Sequence, residues 1–186
     1  MKHPIVRLFL ARLRALAAVG RAAFPVVGLP AFLTPFARHV LRIERVADGS
    51  FVIVETGEAV ATLFARTIVG RPFTELFREE DRARVEALLA ATCADRIACL
   101  FGAEARFRYR VTAIEAMIVP EPLDDGVPIR ASACLVSIGF PRGWGSRPLP
   151  PLTLRSERFV DLDGLSGGAA TKRSTIAWRA LRKTDA

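Results

Sequence analysis

The sequence predicts an α+β fold: a five-stranded antiparallel sheet with short helices and one long helix on one face, preceded by an amphipathic N-terminal helix. Three observations carry this reading. Two β-branched runs, residues 38–46 and 50–55, flank Asp48-Gly49, a dipeptide that favours a tight hairpin. Residues 79–94 place apolar side chains at helical spacing. From Ile97 onward the apolar period changes to two, the signature of strands with one buried face.

The first segment, residues 5–24, reads as a basic amphipathic helix. Ile5, Val6, Phe9, Leu13 and Leu16 cluster on one side of a helical wheel, and Arg7, Arg14 and Arg21 share the other. Arg12 borders the apolar side and can snorkel. A secretory signal fits poorly, because Arg12 and Arg14 interrupt what would be its apolar core. Such a helix either packs on its own domain or a second copy, or attaches to an acidic membrane surface or a partner through Arg7, Arg14 and Arg21. Residues 25–37 hold three prolines and a glycine and form a linker.

After the hairpin comes the stretch around which the chain is organised, Thr56 to Phe77. Gly57 is free to take the positive φ of a sharp strand-to-helix turn. Val60, Leu63 and Phe64 share one side of a short helix; Gly70 and Pro72 interrupt it; Phe73, Leu76 and Phe77 repeat the spacing in a second turn. The result is a cup of two small helices on a sheet.

The long helix opens with Glu79, Glu80 and Asp81, which complement its exposed N–H groups. Val85, Leu88, Leu89, Thr92 and Cys93 form its inward face. Beyond it, Ile97 to Phe101 is a short strand. Phe107, Tyr109 and Val111 alternate with Arg106, Arg108 and Arg110 in the next, which continues through residues 114–119. On this reading the arginines form a solvated face opposite the aromatics, which argues against a nucleic-acid surface. Asp124-Asp125-Gly126 marks a turn and residues 129–138 the last strand. The Gly/Pro-rich run 139–153, with Trp144, ends the compact part. The domain with its C-terminal extension spans 38–163, and 164–186 reads as a flexible basic tail.

Charge is unevenly spread. Residues 1–45 carry +7, residues 46–141 carry −4 and residues 142–186 carry +5, within a total of +8. A mildly acidic core between basic ends does not suit nucleic acid. Three cysteines without CxxC spacing argue against a disulfide framework and a structural zinc site and point to a reducing, cytoplasmic setting, with peripheral membrane contact open through the N-terminal helix. Only His3 and His39 are available to a metal. No Ser-His-Asp, Cys-His or Gly-rich phosphate motif is present, so the chain does not read as an enzyme. Glu115 and Tyr109 are the one pair that could do acid–base work.

The order strand, strand, short helices, long helix, strands resembles the PAS fold, and the details resemble PAS family five of bacterial proteins. Gly57, Ala59, Leu63, Phe64, Gly70, Arg71 and Phe73 match that family's pattern, as do Asp81-Arg82, Ile114 to Pro120, Trp144-Gly145, and Leu154, Ser156 and Arg158. Ala65 stands where the family has glycine. The likeness covers roughly residues 29–163. It implies a non-catalytic sensory or interaction module that holds a ligand between sheet and cup or uses its sheet for pairing. Phe51, Ile53, Leu63, Phe64, Phe73, Phe77 and Leu89 are then the candidate lining of an apolar pocket; the same side chains can instead fill a solid core. His3 and His39 are badly placed as haem ligands, and the short-helix segment lacks a thiol for flavin photochemistry, so the cofactor stays unknown. The expected partner is a signalling protein or a second copy joined through the N-terminal helix, because no output segment is expected past residue 163.

Overall fold

A computed structural model of the chain describes residues 2–18, 33–95, 97–107, 110–121, 130–139 and 146–160. Helix α1 (Pro4–Ala18) comes first. A 3-10 turn, Thr34–His39, leads into β1 (Val40–Arg45) and β2 (Phe51–Thr56). Helix α2 (Glu58–Phe64) and a second 3-10 turn (Phe73–Leu76) make the cup, and α3 (Glu79–Asp95) crosses above the sheet. Strands β3 (Ala98–Phe107), β4 (Arg110–Glu121), β5 (Arg130–Ile138) and β6 (Leu152–Val160) complete it. The order across the sheet is β2-β1-β5-β4-β3-β6, and every pairing is antiparallel.

The sheet therefore has six strands where the sequence predicts five. Leu152 and Leu154 face the core and Phe159 packs against it, so β6 carries an alternating pattern. The Pro/Gly-rich approach to it disguises that pattern, and its pairing partner, the free edge of β3, is distant in sequence. A bulge between Gly102 and Ala103 lets β6 follow the twist.

The region 97–119 also differs from expectation. The arginine–aromatic alternation is not one strand: β3 runs to Phe107 and β4 starts at Arg110, with Arg106 opposite Val111 and Phe107 opposite Arg110. Directly opposed residues share a face. Each face of the hairpin end thus carries one arginine beside one apolar side chain, so the separation of arginines from aromatics expected for a single strand does not hold. Arg108 and Tyr109 lie outside the described residues, as do Arg21, Asp124-Asp125-Gly126, Trp144 and the tail 164–186.

The two faces of the sheet are covered differently. On the inner face the cup and α3 enclose one cluster that includes Phe64, Phe73, Phe77, Leu88 and Leu89 with Ile43, Ile53, Phe101 and Ile114. On the outer face α1 lays Val6, Phe9, Leu10 and Leu13 on Val40, Leu100, Met117, Val119, Cys134 and Val136, together with Phe36. The Phe9 and Phe36 rings meet edge to face at 5.1 Å, and the Arg12 guanidinium sits 5.9 Å from the Phe36 ring.

Two residues of the cup show why local reading needs correcting. Gly57 takes an extended φ of −73°, not a positive one. Its glycine is required by space: a Cβ would stand 2.0 Å from the Ala37 carbonyl oxygen and 2.6 Å from that of Arg38. Ala65, by contrast, closes α2 in the left-handed region at φ 47°, where glycine is usual. The αL cap is kept although the glycine is not.

Candidate functional site

The site is the inner core between cup and sheet. Phe51, Ile53, Leu63, Phe64, Phe73, Phe77 and Leu89 are all buried in the same cluster, although they come from β2, α2, the second 3-10 turn and its end, and α3. Phe77 links the others to the sheet: its ring lies 5.7 Å from Phe73 and 5.7 Å from Phe101. The two walls are unlike. The cup supplies phenylalanines and leucines, whereas the facing sheet mixes Ala103, Ala105, Ala116, Ala131 and Ala133 with larger side chains such as Ile43, Phe101, Ile114 and Leu135.

Backbone contacts fix the cup's position. The Gly70 N–H donates to the Ile53 carbonyl at 2.8 Å, and the Ile53 N–H donates to the Arg71 carbonyl at 2.9 Å, so the Gly70-Arg71 turn extends the β2 edge. Gly70 needs its positive φ of 81° to do this. On the other side the Leu149 N–H donates to the Phe64 carbonyl at 3.1 Å, and the Arg78 N–H donates to the Leu152 carbonyl at 2.9 Å. The Asp81 carboxylate accepts from the Leu154 N–H at 2.9 Å, which anchors α3 to β6. Arg84 pairs with Glu157 beside it.

Polar groups on these walls are few. Thr92 on the inward side of α3 is fully buried, and so is Thr112, which precedes Ile114 by two on the inner face of β4. Neither hydroxyl has a hydrogen-bond partner among the described residues. Burial pushes the thiol of Cys93 up to about 11, and those of Cys99 and Cys134 up to about 12, which disfavours the thiolate. No group of three or more His, Cys, Asp or Glu side chains among the described residues is arranged to hold a metal ion.

The outer face holds what sequence reasoning missed. Glu115 is buried on β4, and its carboxylate accepts the Lys2 N–H at 2.9 and 3.0 Å and the His3 N–H at 2.8 Å. His3 in turn accepts the Ile5 N–H through Nδ1 at 3.2 Å, as an N-cap side chain does. Glu115, proposed from sequence as an acid–base group, is thus the clasp that holds the start of α1, away from the inner core. Nearby on the same face, Glu121 accepts from Arg42 at 3.0 and 3.3 Å and from the Ser132 hydroxyl. The Glu121 hydrogen bond is the main cause of the raised Arg42 pKa. The signal for both carboxylates was their position in an otherwise apolar strand, Ile114 to Glu121. The exposed arginines Arg7 and Arg14 lie on the solvent side of α1, whose apolar side is occupied by the sheet.

A family model described as a PAS domain matches residues 30–136, which is more than half of the chain. The chain belongs to the PAS domain family. Solved structures similar to this PAS domain include the PAS domain of a protein from Colwellia psychrerythraea, with 16% identity, a TM-score of 0.44, and 59% of this chain and 96% of that one covered. A LOV protein from Rhodobacter sphaeroides aligns at 14% identity and a TM-score of 0.44, covering 75% and 71%. A light-oxygen-voltage domain studied with a flavin analogue aligns at 15% identity and a TM-score of 0.46, covering 60% and 85%. Likeness at this distance carries no information on ligand or output. No curated protein matches the chain. PAS domains in general are sensory and signalling modules, and no helix among the described residues of this one is long and apolar enough to cross a membrane.

Proposed function

We propose that this PAS domain is a non-catalytic sensory module that holds a small, uncharged, mainly apolar molecule between cup and sheet and passes its state to a protein partner by contact. The observation that carries this reading is that two buried hydroxyls, Thr92 on α3 and Thr112 on β4, each lack a hydrogen-bond partner among the described residues in an otherwise apolar core. A buried hydroxyl without a partner costs roughly 1–3 kcal/mol. A ligand bearing a carbonyl or hydroxyl group relieves that cost, while the apolar walls favour its apolar body.

Native mass spectrometry of protein purified from its source tests this directly. Retained small molecule at one copy per chain is expected, and Thr112→Val is expected to lower its occupancy while making the ligand-free protein more stable. Ligand-free protein from the source, together with a Thr112→Val variant no more stable than the parent, sinks the reading. The partner, a signalling protein or a second copy, is best met by the outward side of α1, where Leu8 is 54% exposed next to Arg7. The alternative of a membrane adaptor that inserts the apolar stripe of α1 is disfavoured, since Val6, Phe9, Leu10 and Leu13 are already buried on the sheet.

A further inference from the structure

Strand β6 brings one carboxylate to the inner side of the sheet. Glu157 pairs in register with Phe101, whose ring meets that of Phe77 in the core. Directly opposed residues share a face, so Glu157 lies on the side that the cup and α3 cover. Its side chain is 5% exposed. Oε1 accepts from Arg84 of α3, through Nε at 3.1 Å and through Nη2. Oε2 is buried and has no hydrogen-bond partner among the described residues. The two buried carboxylates of the outer face differ, since Glu115 and Glu121 each engage both oxygens. Burial first, and then the Glu157 charge, raise the thiol of Cys99, which sits in the inner cluster. The carboxylate therefore acts on the core as well as on Arg84.

We propose, building on the ligand reading above, that Oε2 of Glu157 anchors the polar end of the molecule between cup and sheet, which makes that molecule a hydrogen-bond donor through a hydroxyl or N–H group. A carboxylate accepts through about four lone-pair sites, and Arg84 occupies those of one oxygen only. An unmet acceptor is costly once buried, and a donor from the ligand meets it with a charge-assisted bond. The donor need not be charged, because the Arg84 guanidinium already balances the carboxylate. A molecule whose only polar group is a carbonyl or ether oxygen would set acceptor against acceptor and is rejected. The Thr92 and Thr112 hydroxyls can serve either kind of group, so Glu157 is the side chain that discriminates.

The test uses the molecule that co-purifies with the full chain from its source. Native mass spectrometry gives its occupancy, and its mass after release into deuterated water counts its exchangeable hydrogens. At least one exchangeable hydrogen is expected. Glu157→Gln should lower occupancy about tenfold, because a neutral amide replaces the charged acceptor. Arg84→Gln breaks the same ion pair but keeps the open oxygen, and should retain the molecule. Thermal melts certify that both variants are folded, and the hydrogen count on the parent protein decides the matter without them. A retained molecule with no exchangeable hydrogen overturns the donor assignment and leaves the ligand reading standing. A parent protein that carries no molecule removes both. Undiminished occupancy in Glu157→Gln, or an equal loss in Arg84→Gln, reduces Glu157 to a structural ion pair and overturns its role as anchor.

Discussion

The inner and outer faces of one sheet are both dry, yet they are held by different means. Inside, the cup is tied to β2 by the Gly70 and Arg71 backbone bonds, α3 is anchored to β6 by the Asp81 carboxylate, Leu149 bonds to the end of α2, and the cluster they enclose draws on every strand. Outside, a single helix lies across the middle of the sheet, tied at its start by the Glu115 carboxylate and held otherwise by four buried side chains. The cup cannot lift without breaking backbone bonds to β2, whereas α1 can, so α1 is expected to open more readily than the cup.

The largest effect tests the inner face. Phe77→Ala removes the ring that bridges Phe73 and Phe101 and should cost about 4 kcal/mol in urea unfolding. Phe9→Ala on the outer face should cost about half of that, because α1 can open without global unfolding. Equal costs would show that the two covers unfold as one unit and would end the distinction.

The next test uses two thiols as reporters. Cys99 faces the inner core and Cys134 the sheet under α1, both fully buried and both pushed up to about 12. Glu115→Ala removes the acceptor of the Lys2 and His3 amides, which should accelerate alkylation of Cys134 about tenfold, equivalent to ~1.4 kcal/mol, and leave Cys99 unchanged. Equal acceleration at both thiols, read by mass spectrometry, would mean that Glu115 supports the whole domain rather than α1.

Smaller effects sharpen the picture. Ala65→Gly relieves the left-handed cap of α2 and should stabilise the domain by about 1 kcal/mol in thermal or urea unfolding. A loss of stability would mean that the Ala65 methyl contributes more to packing than its φ of 47° costs. The smallest effect concerns pH. Burial, then the neighbouring His3 and Arg38, hold the His39 pKa below its ordinary 6.5. The folded protein thus binds this proton less readily than the unfolded chain, so the stability linked to neutral His39 is present above pH 6.5 and is lost as pH falls through its lowered pKa. Amide exchange in α1 should accelerate on acidification, and His39→Gln should flatten that dependence. An unaltered profile in the variant would assign the acid sensitivity to another group.

Much of this molecule was legible from residue spacing. The helical period over residues 79–94 and the hairpin around Asp48-Gly49 reappear as α3 and the β1–β2 pair. The seven residues named as candidate pocket lining are buried in one cluster, as either a lined pocket or a filled core requires. What escaped were features set by contacts between distant segments. Leu152 and Leu154 reveal a strand only beside the free edge of β3. Arg106 and Phe107 fall on unexpected faces because the chain reverses between residues 107 and 110. Gly57 is explained by carbonyl groups twenty residues earlier.

By itself the sequence determined the periods: which side chains of each element are apolar, and hence that a helix, a cup and a sheet must share a core. Such patterns are local, since they depend on 3.6-residue and two-residue repeats along one segment. Only the tertiary structure decided which surface each apolar side covers. The stripe of α1 is compatible with lipid, a second copy or its own sheet. It was settled by the pairing order that puts Val40, Cys134 and Met117 side by side and sets Glu115 where the helix begins.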